Sequence, residues 1–248
     1  MAKGLVVVFL FVVSFFPSSI FASSSDCQTR WQQVMAHQPL PDKYRSLMNL
    51  CDQELETAMA KLIGTNITFT YQKARDFMFT VLDYDNGHTC SVYDSTCYQV
   101  RGMPDEKVLN CEHTWPQSLG AVGLAKVDLH HLFPVSSESN TRRSNNPFCE
   151  VDKVTWQSDE SKLGAYGEVV CFEPPMRHRG DVARAMFYFA VRYHKAIDPM
   201  QEKFLRQWNI EDPVTSEEEG RNDHINQFQK NRNPFIDYPS FAELITDF

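Results

Sequence analysis

The N-terminal segment constrains this chain most, because it decides the redox compartment in which the cysteines fold. One positive charge precedes an apolar run from Gly4 to Phe16, which is followed by Pro17 and small residues. The run holds 13 residues, whereas a membrane-spanning helix needs about 20. We therefore predict that residues 1–22 are a cleaved signal peptide and that residues 23–248 form the mature protein. An uncleaved anchor is the less favoured alternative.

Seven cysteines remain after that cleavage: Cys27, Cys51, Cys90, Cys97, Cys111, Cys149 and Cys171. In an oxidising compartment they should form disulfides, and no CxxC pair or zinc-finger spacing indicates a structural metal site. An odd number leaves at least one thiol unpaired or bridged to another chain. Many connectivities are open, and we predict only one bridge, Cys90–Cys97, across a short hairpin.

The composition predicts a folded chain with one core. Of its residues, 42% are hydrophobic and 23% are charged, which excludes a disordered or low-complexity polymer. Since no linker-like stretch or internal repeat divides residues 23–248, we expect a single domain. The formal net charge of -8 opposes long-range attraction of a polyanion, so nucleic acid would have to be held by a local basic patch.

Hydrophobic periodicity predicts an α+β fold that is mainly helical around a small β-sheet. Apolar residues at helical spacing predict a helix over residues 43–63, ended by Gly64, and a helix over Gly180–His194. A further helix is expected from Tyr71, with its inward residues being Ala74, Phe77, Met78 and Val81.

Between these helices the chain contains short strand-like segments. Thr, Val, Tyr and Cys are frequent over residues 88–100 after an Asp-Asn-Gly turn, and further strands are expected at 108–111 and 128–133. Pro134 should end the last strand. Ser136 or Ser137 can then cap a short helix that runs through Asn140 toward Arg143.

Residue types suited to cleaving a phosphodiester bond are concentrated in this middle region: Glu112, His113, His130, His131, Asn140, Arg142 and Arg143. Carboxylate and amide oxygens bind hard metal ions, a neutral imidazole can take a proton from water, and a guanidinium matches phosphate geometry. Taken singly, each has a plainer explanation as a surface pair, a structural histidine or a solvated arginine. Their occurrence within about thirty residues favours a catalytic site.

The ordered blocks NCEHTWPQS, DLHHLFP, NTRRSNNPF and EPPMRHRGDVARAMFYFAVRYH, followed by NRNPFID, resemble the secreted endonuclease I family of bacteria. The resemblance covers most of the chain from about residue 70 to 238. It implies an active site built on a ββα-metal (His-Me finger) motif. It also agrees with the signal peptide and the cysteines, which are independent features of the sequence.

The resemblance implies a metal-dependent endonuclease that is largely indifferent to sequence and leaves 5′-phosphates. By position, His113 corresponds to the general base and Glu112 and Asn140 to the ligands of one Mg²⁺ or a similar divalent ion, such as Mn²⁺ or Ca²⁺. The implied partner is DNA, with RNA as a further candidate. We expect a secreted or periplasmic monomer with no membrane contact after signal cleavage.

Two features of this sequence need a physical account. Adjacent residues on a strand point to opposite faces, so the strand carrying Glu112 and His113 must end there, as Pro116 suggests. The better-known members also carry a longer insertion with a phosphate-binding arginine where this chain has only residues 114–127. Arg143 matches the arginine of the family's Asn-x-x-Arg stretch, so the resemblance makes it our candidate for catalytic phosphate contact.

Weaker candidates for that contact are Arg142 and Lys126, and a basic strip could be extended by Arg177, Arg179 and Arg184, which could equally be helix-surface charges. Two other functional classes remain open. One is a disulfide-stapled secreted binding protein that keeps the same scaffold without turnover. The other is a secreted zinc hydrolase, which is disfavoured because the chain lacks an HExxH segment.

Overall fold

The computed structural model describes residues 24–248, so the predicted signal peptide lies outside the described residues. Within the described part, no helix is both long and apolar enough to cross a membrane. The helices are α1 (Ser24–His37), α2 (Asp52–Ile63), α3 (Tyr71–Phe77), α4 (Ser137–Arg143), α5 (Arg179–Tyr193), α6 (Pro199–Glu211), α7 (Ser216–Gln229) and α8 (Pro234–Asp237). The strands are β1 (Tyr84–Asp85), β2 (His88–Cys90), β3 (Cys97–Gln99), β4 (Leu109–His113), β5 (Leu132–Ser136), β6 (Lys153–Ser158), β7 (Ser161–Tyr166) and β8 (Val169–Glu173).

The fold is α+β and mainly helical, as predicted, but the strands form three small antiparallel sheets rather than one. Their orders are β1-β2-β3, β4-β5 and β6-β7-β8. The sheet of β6, β7 and β8 was not predicted from the sequence. The hairpin β4-β5 leads directly into α4, because the hydroxyl of Ser136 accepts the backbone N–H of Ser139 and caps the helix.

Helix α5 is the centre of the main core. The predicted stripe from Val182 to Val191 is buried, and so are the residues between its members, because both α2 and α6 pack against this helix. The sequence pattern predicted burial of only one face of this helix, whereas the helix is buried on all sides over these residues. A second apolar cluster lies beneath the hairpin β4-β5 and includes Phe79, Leu109 and Leu132.

The prediction of one helix over residues 43–63 is wrong. A 3-10 helix spans Asp42–Leu47, and α2 begins only at Asp52. Between them Asn49 adopts a left-handed conformation with φ of 64°, and Cys51 is bound to Cys27 in a disulfide. The bridge and the turn interrupt a periodicity that by itself would have continued.

The helix starting at Tyr71 also departs from its predicted pattern. Residues Met78–Leu82 form a π-helical turn, which rotates the following side chains relative to a regular α-helix. Val81, predicted to face inward, is 53% exposed, while Phe79 and Leu82 are buried. The rotation arises where the helix meets β1, so the periodicity of α3 alone could not indicate it.

The third correction concerns the strand predicted at 128–133. Leu129–His131 form a 3-10 turn, and strand β5 contains Pro134 instead of ending before it. Pro134 is tolerated because β5 has only one partner in its sheet, so a missing N–H can face away from the ladder. Its carbonyl accepts the backbone N–H of Val92 at 2.9 Å.

The predicted Cys90–Cys97 bridge is confirmed, and the two residues face each other across β2 and β3. The other disulfides are Cys27–Cys51 and Cys149–Cys171. Cys111 is the unpaired thiol among the described residues, and it is buried under the hairpin. The odd cysteine count is thus accounted for within one chain.

Candidate active site

A cavity of about 380 Å³ opens at the end of the β4-β5 hairpin. Glu112, His113, Asn140 and Arg143 all line it, so the fold brings together the four residues singled out in the sequence. Strand β4 ends at His113, as the side-chain geometry required, and the chain then turns through Pro116 along the cavity wall. Helix α4 closes the other side.

His113 is held by its ring nitrogens in one orientation. Its Nε2 atom lies 3.0 Å from the carbonyl oxygen of Lys126, and because a carbonyl only accepts, Nε2 carries the proton. Nδ1 is then unprotonated, and its lone pair accepts a long hydrogen bond from the side-chain amide of Gln117 at 3.4 Å. Burial, reinforced by the neighbouring His131, lowers the pKa of His113 to about 3. The imidazole is therefore neutral at pH 7.

Glu112 is a buried carboxylate with two donors on one oxygen. The hydroxyl of Tyr93 donates to Oε1 at 3.0 Å, and the Nη1 atom of Arg143 lies 3.2 Å from the same oxygen. Burial raises the pKa of Glu112, while the charge of Arg143 and the hydroxyl of Tyr93 oppose that rise. These donors fix the carboxylate beside Asn140, whose half-buried side chain has no hydrogen-bond partner among the described residues.

Arg143 is only 1% exposed and serves several acceptors at once. Beyond Glu112, its Nη2 atom donates to the carbonyl of Thr114 at 2.6 Å, and its Nη1 atom donates to the carbonyls of His113 and Ser144. The guanidinium therefore clamps the end of β4 against α4. Whether it also contacts a phosphate stays a prediction.

The other basic candidates lie in different surroundings. Arg142 is exposed and lies over the Trp156 ring, and the Nζ atom of Lys126 lies 4.6 Å from the centre of the Tyr71 ring. Ion pairs join Arg177 to Glu160, Arg179 to Glu173 and Arg184 to Glu218. Since Arg184 is buried, it is neither a helix-surface charge nor part of a basic strip.

Two positioning residues, Tyr93 and Asp94, were missed by the sequence reading. Both lie in the loop closed by the predicted Cys90–Cys97 bridge. Asp94 Oδ2 accepts hydroxyl groups from Ser136 at 2.6 Å and from Ser139 at 2.9 Å, which are residues of the α4 cap and first turn. One short loop thus holds Glu112 through Tyr93 and the helix of Asn140 through Asp94. The bridge was the only sequence signal pointing to this loop.

His130 and His131 do not reach the cavity. His130 Nε2 pairs with the carbonyl of Asn231 and His131 Nε2 with that of Ala125, so both have structural partners. A larger cavity of about 520 Å³ lies elsewhere and includes His130, Asp181 and Glu218. None of the four predicted site residues lines this larger cavity.

The residues of the smaller cavity fit a hard divalent cation. Within residues 24–248 no group of three or more His, Cys, Asp or Glu side chains could form an all-protein cage. Mg²⁺ does not need one, because it is usually bound by one or two oxygen side chains and keeps water or phosphate in its other positions. Glu112 and Asn140 supply that kind of incomplete oxygen set.

Comparison with known proteins shows relatives that are exported nucleases by name. The chain is 37% identical over 158 residues to an extracellular ribonuclease of Bacillus amyloliquefaciens, covering 55% of this chain and 53% of that protein. It is 32% identical over 116 residues to an extracellular deoxyribonuclease of Aeromonas hydrophila, covering 44% and 49%. The chain therefore spans about half the length of the curated relatives it matches.

The family assignment rests on a longer match. Residues 47–240 match the model of the Endonuclease I family, a span that includes the hairpin, α4 and α5. The protein belongs to the Endonuclease I family. The resemblance identified from the ordered motifs is thereby confirmed.

Proposed function

We propose that the protein is a secreted or periplasmic endonuclease that hydrolyses phosphodiester bonds of DNA, and of RNA as a second substrate, with Mg²⁺ or a similar divalent ion. The observation that carries the proposal is the shared cavity of Glu112, His113 and Asn140, with the unprotonated Nδ1 of His113 beside it. In this proposal β4, β5 and α4 are the ββα-metal motif.

His113 acts as the general base. Its Nε2 proton is held by the Lys126 carbonyl, so Nδ1 is the nitrogen left to accept a proton from a water aligned with the scissile phosphorus. Burial keeps the ring neutral before reaction, and the fixed orientation avoids reorganisation during proton transfer. In-line attack would leave a 5′-phosphate on the product.

Glu112 and Asn140 are the proposed metal ligands. A bound divalent cation would neutralise negative charge on the phosphoryl group and on the departing 3′ oxygen. Arg143 acts mainly by holding Glu112 and the end of β4, and its phosphate contact is part of the proposal. Tyr93 and Asp94 position the two ligand-bearing elements from behind.

Three disulfides among the described residues support folding in an oxidising compartment. The extracellular and periplasmic names of the relatives support the same location. We propose that residues 1–22 are removed on export and that residues 23–248 act as a monomeric domain.

The test uses the purified mature protein with plasmid DNA and with RNA, in the presence of Mg²⁺ or of a chelator. Wild type should cut only with the metal, and a His113→Ala variant should lose activity by about 100-fold or more while remaining folded. His224→Ala, which changes an exposed histidine outside the site, is the matched control and should retain activity.

A second arm of this test examines the metal ligands. Asn140→Ala should raise the Mg²⁺ concentration needed for half-maximal activity, because one of two protein ligands is lost. If His113→Ala cuts DNA as fast as wild type, His113 is not the general base. Binding of nucleic acid without any cutting by wild type would instead favour a binding protein on the same scaffold.

A further inference from the structure

The loop between Gln117 and Lys126, the two residues that contact the His113 ring, exposes three large apolar side chains. Leu119, Val122 and Leu124 are 54%, 63% and 62% exposed, and we call them the apolar ridge. Exposed apolar residues scattered singly are ordinary on a protein surface, but three within six residues beside a candidate active site are not.

The ridge is tied to the active site at both of its ends. On one side Gln117 and Ser118 line the cavity, and Gln117 approaches Nδ1 of His113. On the other side the Lys126 carbonyl holds Nε2 of the same ring. The ridge therefore lies on the loop that carries both contacts of the His113 ring, next to residues that line the cavity.

The loop is also rigid. Trp115 donates its indole N–H to the carbonyl of Leu119 at 3.1 Å and stacks on Phe189 in the core. The side chain of Ala121 is fully buried, and the N–H of Val122 bonds the carbonyl of Gly120 at 2.8 Å. The apolar side chains are thus displayed in a fixed arrangement, which lowers the entropy lost on binding.

The chemistry around the ridge suits a nucleic-acid strand. Lys126 lies at the C-terminal end of the loop, and the Lys195 side chain lies over Gly120. Neither ammonium forms an ion pair with a carboxylate among the described residues, so both are available to phosphates. Aliphatic side chains cannot hydrogen-bond to a phosphate, whereas they can bury apolar surface against the faces of bases and sugars.

We infer that the apolar ridge packs against unpaired bases next to the scissile phosphate, and that it makes single-stranded nucleic acid the preferred substrate. This inference rests on the proposed nuclease function. In a duplex the base faces are stacked and paired, so a rigid ridge could reach them only by unstacking a step. Since the chain carries a net charge of -8, contacts that do not depend on charge matter more here than in a basic nuclease.

The experiment compares wild type with a Leu119→Ser/Val122→Ser/Leu124→Ser variant. Both cleave a single-stranded oligonucleotide and the same sequence as a duplex, at low and at high salt. The variant should raise KM for the single strand by about tenfold, as expected when three aliphatic side chains each lose part of the apolar area that they bury against bases. The increase should persist at high salt, because apolar contacts release no counterions. KM for the duplex should change less than KM for the single strand.

Two further variants provide a control for lost apolar surface and a change in the opposite direction. Ile67→Ser/Val81→Ser/Ile210→Ser removes three other exposed apolar side chains, which are 48%, 53% and 73% exposed and lie outside the loop, and should behave as wild type. Val122→Phe, which enlarges the most exposed ridge residue, should lower KM for the single strand.

An unchanged KM for the single strand in the ridge variant, or an equal loss on duplex, would overturn the inference. A wild type that cuts neither substrate would instead overturn the proposed nuclease function, so the two failures are distinguishable.

Discussion

Replacing Tyr93 with Phe isolates the link between the disulfide-closed loop and the metal ligand. The change removes one hydroxyl, which donates to Glu112 Oε1 at 3.0 Å, and leaves the aromatic ring packed against Phe172. Because the side chain is fully buried, no bulk water can replace the lost donor. The perturbation is therefore confined to the orientation and charge balance of Glu112.

The size of the effect follows from the kind of bond removed. A hydrogen bond to a charged group contributes about 1.5–3 kcal/mol, which corresponds to roughly 10- to 100-fold in an equilibrium constant. Losses of about 10- to 100-fold are also typical when the partner of a metal ligand is removed. Tyr93→Phe should thus raise the half-maximal Mg²⁺ concentration by about that factor, while activity at saturating Mg²⁺ stays close to that of wild type.

The assay is a Mg²⁺ titration of DNA cleavage, accompanied by calorimetric titration of Mg²⁺ without DNA. Tyr44→Phe is the matched control, because the Tyr44 hydroxyl also donates to a carboxylate, that of the half-buried Asp237, away from the cavity. The control should affect stability but not the Mg²⁺ requirement. An unchanged Mg²⁺ requirement in Tyr93→Phe would refute the positioning role that we assign to this residue.

Three further predictions concern stability. Arg143→Ala leaves the carboxylate of Glu112 buried without its ion-pair partner and should lower the free energy of unfolding by about 3–5 kcal/mol, measured by urea denaturation. Burial opposes ionisation of Asp128, but the charges of His130 and Arg192 outweigh it and lower the pKa of Asp128 to about 2. The ionised carboxylate therefore contributes about 2 kcal/mol to the free energy of unfolding above pH 4, and this contribution is lost as the pH falls toward 2. Asp128→Asn should accordingly lose less stability than wild type over that acid range, and an equal loss would contradict the assignment. Replacing both Cys27 and Cys51 with Ser should lower the melting temperature through a loss of about 3 kcal/mol, because their bridge closes a loop over a separation of 24 residues.

Local signals in the sequence predicted several features correctly. The Asp-Asn-Gly turn joins β1 to β2, the Cys90–Cys97 spacing identified the β2-β3 hairpin, and Ser136 was one of two candidates for the cap of α4. The ordered motifs identified the family and the four residues that line one cavity. Their catalytic roles remain predictions until the variants are measured.

Helix and strand limits were less predictable, because long-range contacts set them. The break before Asp52 depends on a disulfide to Cys27, and the exposure of Val81 depends on a π-helical turn. Pro134 remains inside a strand only because that strand has a single neighbour in its sheet. The disulfide and the strand pairing lie outside the local window from which periodicity is read, and regular helical periodicity does not anticipate a π-helical turn.

The sequence by itself determined which chemical groups the chain possesses, in what order, and that its cysteines fold where they can be oxidised. Only the tertiary structure decided that Tyr93 and Asp94 support the ligand-bearing elements, and that the carbonyl of Lys126 orients His113. The physical reason is that every residue has a backbone carbonyl and most buried hydroxyls have several possible acceptors. Their partners are chosen by packing, which brings together residues that are far apart along the chain.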